Sequence, residues 1–139
     1  VYRRYDASGN AVEIAGKDGT PVSFLWSYNN CFPIARIENA TIDEVCAALE
    51  IESADEWTYD SVPDSDVRVR IGSLREKLPD ARVTTYEYVS LHGVTAITDP
   101  NGVTTRFDYD NYSRLTGSYY LDENARKVML QKYVYHFGK

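Results

Sequence analysis

The stretch "DPNGVTTRFDYDNYSRLTG", residues 99–117, alternates turn signals with strand signals. Residues 99–102 (Asp-Pro-Asn-Gly) form a turn sequence, because Pro presets φ and Asn-Gly tolerates a left-handed backbone. In 103–110, Val, Thr, Phe and Tyr alternate with Thr, Arg, Asp and Asp, which predicts a strand with one apolar face. A second strand, "SRLTGSYYL", follows at 113–121. The pattern therefore predicts antiparallel hairpins.

The same features recur along the chain at a fixed spacing. Tyr5-Asp6 and Trp26-Ser27 are separated by 21 positions, and so are Tyr88-Val89 and Tyr109-Asp110. An aromatic-x-Tyr group closes strands at 86–88, 107–109 and 133–135. A fixed period of about 20 residues is typical of an array of repeated supersecondary units.

The repeat resembles the YD-repeat, or Rhs-repeat, family. The segments "YDASGNAV" (5–12) and "TTYEYVSLHGVTAITDPNGVTTRFDYD" (84–110) are similar to it. The family pattern G-x-x-T-x-Y-x-Y-D-x-x-G-R-L is matched by Gly102, Thr105, Phe107, Tyr109, Asp110, Ser113, Arg114 and Leu115. Ser113 departs from the family's Gly, and Trp26-Ser27 departs from Tyr-Asp. The residues assigned to the repeat signature are Tyr5, Asp6, Gly9, Trp26, Tyr88, Asp99, Gly102, Tyr109, Asp110, Arg114 and Leu115.

A narrower resemblance, carried by "LWSYNNCFPIARIENATIDEV" (25–45), is to YD-repeat proteins of Bacteroides-type bacteria. The family resemblance implies hairpins joined edge to edge into a long curved sheet. In large relatives that sheet is a hollow shell around a C-terminal toxin, and in teneurins a similar shell carries cell-adhesion domains. It also implies a secreted or cell-surface location.

Residues 41–80 change from strand to helix periodicity. Thr41 and Glu44 form a capping box before a first helix, and an acidic loop, "ADEWTYDSVPDSD", follows at 54–66. A second helix is predicted over 66–78, ending before Pro79. The side chains expected to pack against the sheet are Ile42, Val45, Leu49, Ile71, Leu74 and Leu78.

The fold class is therefore mainly β (α+β), an antiparallel YD-repeat hairpin sheet with a two-helix insertion at about 41–80. We expect a single domain of strands (1–38), helical insertion (39–81) and YD-repeat strands (82–139). Within 21–28, Val22, Phe24, Trp26 and Tyr28 are expected to form a strongly apolar face. The opening, "VYRRYDASGN", lies mid-pattern, so we expect a segment of a longer protein.

Composition and charge narrow the classes of function. A net charge of −6 argues against a nucleic-acid partner. Cys31 and Cys46 are either free thiols or a disulfide, and with only two His the sequence predicts no metal site and no cofactor. The acidic loop lacks the order of a known calcium loop, which favours a solvated loop. The sequence contains no run of 18 apolar residues, so it predicts no membrane span.

Catalysis and ligand binding are the alternatives to a structural role. Asp108 and Asp110, two apart on one strand face, could be an acid–base pair acting on sugars, but turn chemistry is the simpler explanation. We predict that the protein is not an enzyme but a scaffold segment. Its partners would be flanking repeats, a cell-surface protein, carbohydrate or a second copy at a sheet edge. Aromatic side chains that could stack on a carbohydrate are Tyr2, Trp57, Tyr59, Tyr112 and Tyr120.

Overall fold

The computed structural model describes residues 3–16, 18–89, 93–112, 114–121, 124 and 126–132. These residues form nine strands and three helices. The strands are β1 (Arg3–Tyr5), β2 (Ala11–Ala15), β3 (Pro21–Ser27), β4 (Phe32–Glu38), β5 (Arg82–Val89), β6 (Gly93–Thr98), β7 (Thr104–Tyr109), β8 (Leu115–Leu121) and β9 (Lys127–Lys132). The helices are α1 (Ile42–Leu49), α2 (Ser65–Gly72) and α3 (Leu74–Lys77). The mainly antiparallel β class with a helical insertion is confirmed.

The chain divides into two compact units, residues 1–85 and 86–139. In the first unit, β1 to β5 follow one another in chain order, with antiparallel pairing between neighbours. In the second, β6 to β9 are also ordered and antiparallel. The expectation of a single domain remains a prediction.

The insertion packs against one face of the first unit's sheet. Helix α1 contacts β3 and α3. The face that it covers is marked by two hydrogen bonds. The buried Glu13 accepts from the Ile42 backbone N–H at 2.8 Å, and Ser23 donates its hydroxyl to the Ala40 carbonyl at 2.7 Å. Leu25 lies on the same buried face.

The apolar face expected on β3 is therefore not the face that the insertion covers. Phe24 and Trp26 are half-buried, whereas Ser23 and Leu25 on alternate positions are fully buried. Small side chains at Ser23 and at Ala35, opposite Leu25, let the helices approach closely enough to exclude water. Val22 and Tyr28 on the expected apolar face are buried too, so β3 has buried side chains on both faces, and alternation alone did not reveal the burial of Ser23 and Leu25.

Helix α1 begins as predicted. The Glu44 N–H donates to Thr41 Oγ1 at 3.2 Å, and the Thr41 N–H donates to Glu44 Oε1 at 3.1 Å, so the capping box is confirmed. Glu50 ends the helix in a left-handed conformation with φ of 58°.

The second predicted helix is divided. Helix α2 starts at Asp64, whose carboxylate accepts from the Val67 N–H at 3.0 Å, and a break at Ser73 separates it from the single turn of α3. Leu78, expected in the core, is half-buried, because the chain leaves the helical conformation at that residue. The other expected core side chains are buried: Ile42, Val45, Leu49, Ile71 and Leu74.

Candidate functional site

Residues of the repeat signature lie in and beside the hairpin turns of the sheet. Asp99 closes the turn between β6 and β7. Its Oδ1 accepts from the backbone N–H groups of Asn101 and Val103, both at 2.9 Å. The Asp99 N–H donates to the Val103 carbonyl, and Gly102, with φ of 86°, donates to the Asp99 carbonyl. One carboxylate thus satisfies two turn donors.

Asp6 repeats this arrangement in the turn between β1 and β2. Its Oδ1 accepts from Ser8 N–H and Asn10 N–H, both at 2.9 Å. The Asp6 N–H donates to the Asn10 carbonyl, and Gly9 has φ of 90°. The spacing of i+2 and i+4 and the glycine at i+3 match the Asp99 turn. These signature residues therefore serve the same local purpose in both units.

Asp110 closes the β7–β8 turn with an additional ion pair. Its Oδ1 accepts from Tyr112 N–H at 2.8 Å and Arg114 N–H at 3.0 Å, and its Oδ2 accepts from Arg114 Nε at 2.9 Å. Desolvation raises the pKa of Asp110, but the two backbone donors and the Arg114 guanidinium outweigh it and hold the pKa below its ordinary value. Ser113 lies outside the described residues.

Three signature aromatic residues that directly precede a turn face a β-bulge. Across from Tyr5, Trp26 and Tyr109, the partner strand carries one extra residue. Those extra residues are Val12, Ile34 and Thr116, as read from the pairing register. A bulge increases local twist and redirects side chains, so each signature aromatic stands at a bend of its hairpin.

Two of these aromatic residues also donate a hydrogen bond to the preceding strand of the sheet. The Tyr109 hydroxyl donates to the Val94 carbonyl at 2.6 Å, and the Trp26 indole N–H donates to the Ala11 carbonyl at 2.8 Å. Both bonds span 15 residues of sequence. Trp26 therefore reproduces the Tyr109 contact despite its different ring. Burial raises the pKa of Tyr109, so its hydroxyl keeps the donated proton at neutral pH.

The two carboxylates considered for catalysis have different partners. The Asp110 carboxylate accepts hydrogen bonds within its turn, whereas Asp108 lies on β7 and its Oδ2 is 3.6 Å from Lys127 Nζ. The pairing register of β7 with β8 shifts between Asp108 and Tyr109, because β8 carries the extra residue Thr116 there. The absence of catalysis nevertheless remains a prediction.

The candidate stacking aromatics differ in exposure. Trp57 is 7% exposed and carries the Arg70 guanidinium 5.3 Å from its ring centroid, which leaves little of the ring for a ligand. Tyr59 and Tyr112 are 62% and 71% exposed, and Arg114 stands over the Tyr112 ring. Tyr120 is half-buried on β8. Tyr2 lies outside the described residues.

Charged and thiol groups meet at a groove of about 420 Å³ between β1, α1 and the following loop. Arg4 donates to both Asp43 carboxylate oxygens at 3.0 and 3.2 Å, and this pairing lowers the pKa of Asp43. Burial raises the pKa of the Cys46 thiol, which lines the groove. Cys31 is also free and is exposed.

Neither a candidate metal site nor a membrane-spanning helix is present in the part of the chain that the structure describes. Within it, no group of three or more His, Cys, Asp or Glu side chains could hold a metal ion. No helix among those residues has the length and apolar character needed to cross a membrane.

The turns, bulges and aromatic contacts define a class of protein, an array of repeated antiparallel hairpins. Residues 90–123 match the family model described as RHS Repeat. The chain therefore contains an RHS repeat, and the resemblance to the YD-repeat family is confirmed. The Bacteroides-type likeness remains a prediction.

Other comparisons add little to this identification. A chain in the crystal structure of TcdB2-TccC3-Cdc42 aligns with 87% of this chain and 5% of its own length, at 14% identity and a TM-score of 0.49. That similarity is too low to carry an argument. No curated protein matches the chain.

Sequence reasoning located the signature residues but missed their contacts. The i+2 and i+4 spacing behind Asp6, Asp99 and Asp110 could have revealed the turn bonds, because Asx turns are local. The equal 15-residue offset of the Trp26 and Tyr109 bonds required strand pairing to become visible. Nothing in the sequence indicated that Glu13 would meet the start of α1.

Proposed function

We propose that this chain is a non-catalytic wall segment of a larger exported RHS-repeat protein. The observation that carries the proposal is the use of the signature residues. Asp6, Asp99 and Asp110 close turns, while Trp26 and Tyr109 tie neighbouring strands together. Their polar groups are engaged with the backbone of the array itself, as a scaffold requires.

Sheet edges support a role within a longer array. Strand β9 is six residues long and exposes Met129 and Leu130, whereas β1 is three residues long. An exposed apolar edge strand is a template for pairing with another strand. In the parent protein, flanking repeats would supply that strand; pairing with a second copy is the other arrangement that such an edge allows.

The role proposed for the whole parent protein rests on its being an array of repeated hairpins. A long array of such hairpins would form a shell or a surface scaffold, and a shell could deliver an enclosed toxin or present a cell-binding domain. Secretion or surface location belongs to the same proposal.

The test is made on the natural full-length protein. Mass spectrometry of the purified chain and limited proteolysis are combined with electron microscopy of the particle. We expect many further repeats, a hollow particle and a compact non-repeat domain protected from protease until the shell opens. A natural chain with only these hairpins and a fully accessible surface would overturn the shell proposal.

A second function, carbohydrate binding, is favoured by one observation, the exposure of Tyr59 and Tyr112. Exposed aromatic rings can stack on apolar sugar faces. Screening the chain against a glycan library, with Tyr59→Ala and Tyr112→Ala as variants, tests it. Binding that is lost in either variant supports the module, whereas no binding at millimolar sugar removes it.

A further inference from the structure

The hairpin between β3 and β4 lacks the aspartate that closes the other signature turns. Ser27 stands where Asp6 and Asp110 stand, directly after the signature aromatic. Its Oγ is buried and has no hydrogen-bond partner among the residues that the structure describes. The Cys31 N–H instead donates to the carbonyls of Ser27 and Tyr28, both at 3.2 Å. This turn therefore has no carboxylate to hold its backbone donors.

Three successive residues of this turn have a left-handed backbone. The φ angles of Tyr28, Asn29 and Asn30 are 55°, 55° and 70°. Asn tolerates this region, but Tyr seldom adopts it, because its Cβ approaches the backbone too closely. Such a run persists only when surrounding contacts determine it.

Those contacts come from the insertion, 30 residues further along the chain. We use "strap" for residues 53–60. The Thr58 carbonyl accepts from Asn30 N–H at 2.7 Å, and the Asp60 carbonyl accepts from Asn29 N–H at 2.8 Å. The strap thus supplies the acceptors that an aspartate side chain supplies in the other turns.

The strap also reaches the first turn of the unit. Asp55 Oδ1 accepts from Ala7 N–H at 3.3 Å, and the Tyr59 hydroxyl lies 2.5 Å from Ser8 Oγ. The two turns are themselves joined, since the Asn10 side chain donates to the Asn30 carbonyl at 3.2 Å. Both hairpin ends are consequently linked to the same short segment.

The anchoring of the strap is concentrated at two residues. Trp57 and Thr58 are buried, whereas Glu56, Tyr59 and Asp60 are exposed. A segment with few buried side chains and many exposed backbone bonds opens more readily than the core. We propose that the strap and the Tyr28–Asn30 turn form one conformational unit, which opens and closes together without unfolding of the sheet.

The strap and the turn are coupled because each supplies hydrogen-bond partners to the other. Release of the strap leaves the left-handed turn without acceptors, and relaxation of the turn leaves the strap carbonyls unpaired. The strap residues Ser53, Ala54 and Asp55 also line the 420 Å³ groove together with Cys46. Opening of the strap therefore widens this groove, and the half-buried thiol of Cys46 reports the event.

The first test uses native-state hydrogen exchange of the unmodified 139-residue chain in low concentrations of denaturant. We expect the amides of Asn29, Asn30, Thr58 and Asp60 to share one opening step that requires less free energy than exchange at Leu25. If Asn29 and Asn30 exchange only with Leu25, or separately from Thr58 and Asp60, the proposal is wrong. This measurement needs no substitution and does not depend on a variant folding.

The second test removes the anchor. In a Cys31→Ser background, which leaves Cys46 as the only thiol, Trp57→Ala should raise the rate of Cys46 alkylation and of Asn29 and Asn30 exchange by about ten-fold or more. Exchange at Leu25 should change much less. Tyr112→Ala, which removes an exposed ring from the other unit, is the matched control and should change none of these rates. Faster Cys46 alkylation with unchanged Asn29 and Asn30 exchange would contradict the coupling.

Discussion

The Tyr109 hydroxyl donates a 2.6 Å hydrogen bond to the carbonyl oxygen of Val94, and so ties β7 to the beginning of β6. Trp26 makes the equivalent bond to Ala11 in the other unit. The tyrosine of the repeat signature is therefore a tether between neighbouring strands, and tryptophan replaces it because the indole N–H also donates from the end of a flat ring. This function explains why an aromatic residue with a polar tip suits the position.

Removal of the Tyr109 hydroxyl should weaken the second unit. Tyr109→Phe keeps the ring but leaves the Val94 carbonyl without this donor, which should lower the free energy of unfolding by about 1 kcal/mol. Urea denaturation followed by circular dichroism measures the change. Tyr112→Phe is the control, because Tyr112 is 71% exposed and its variant should unfold like the unmodified chain. Equal stability of the two variants would refute the tether.

The Asp99 turn should depend on a side-chain acceptor rather than on charge. Asp99→Ala removes the acceptor for Asn101 and Val103 N–H and should destabilise the chain by about 1 kcal/mol, as loss of a comparable cap does in a helix. Asp99→Asn keeps an oxygen in the same place and should recover most of that loss. Denaturation midpoints of both variants provide the measurement. An Asn variant as unstable as the Ala variant would mean that the carboxylate charge dominates.

The Asp110 ion pair should make stability depend on pH in acid. Because the folded pKa of Asp110 lies below its ordinary value of 3.8, the ionised group stabilises the fold above the unfolded-state pKa. This stabilisation is lost as the pH falls through the folded pKa. The stability difference between the unmodified chain and Asp110→Asn should therefore be constant near neutral pH and shrink below about pH 4.

Denaturation of both proteins across this pH range, with an NMR titration of the Asp110 carboxyl carbon, checks the effect. An Asp110 pKa at or above 3.8 in the folded protein would contradict it.

Two glycines should respond oppositely to the same substitution. Gly102 has φ of 86°, so Gly102→Ala forces a side chain into the left-handed region and should destabilise by about 1 kcal/mol. Gly72 ends α2, and a Cβ there would meet only the Arg75 guanidinium at 3.8 Å. Gly72→Ala should therefore be neutral or stabilising, by up to about 1 kcal/mol. Thermal denaturation of the two variants measures both changes in stability. If both variants were destabilised, or both stabilised, the backbone conformation at the glycine would not explain the effect.

Local sequence predicted the elements that local interactions determine. The capping box at Thr41 and the Asp99–Gly102 turn each depend on residues within four positions of one another. Helix continuity was less predictable, because the segment predicted as one helix over 66–78 is interrupted at Ser73, between α2 and α3.

The sequence by itself determined the repeat: the positions of its turns, the aspartates that close them, and the tyrosines that precede Asp6 and Asp110. Only the tertiary structure decided that Ser23 and Leu25, on the less apolar face of β3, would be buried, and that a strap from the insertion would replace the missing aspartate after Trp26. The physical reason is the range of the interactions. An Asx turn is closed by donors two and four residues away, whereas the bond from Asn30 N–H to the Thr58 carbonyl forms only after the sheet and the insertion have packed.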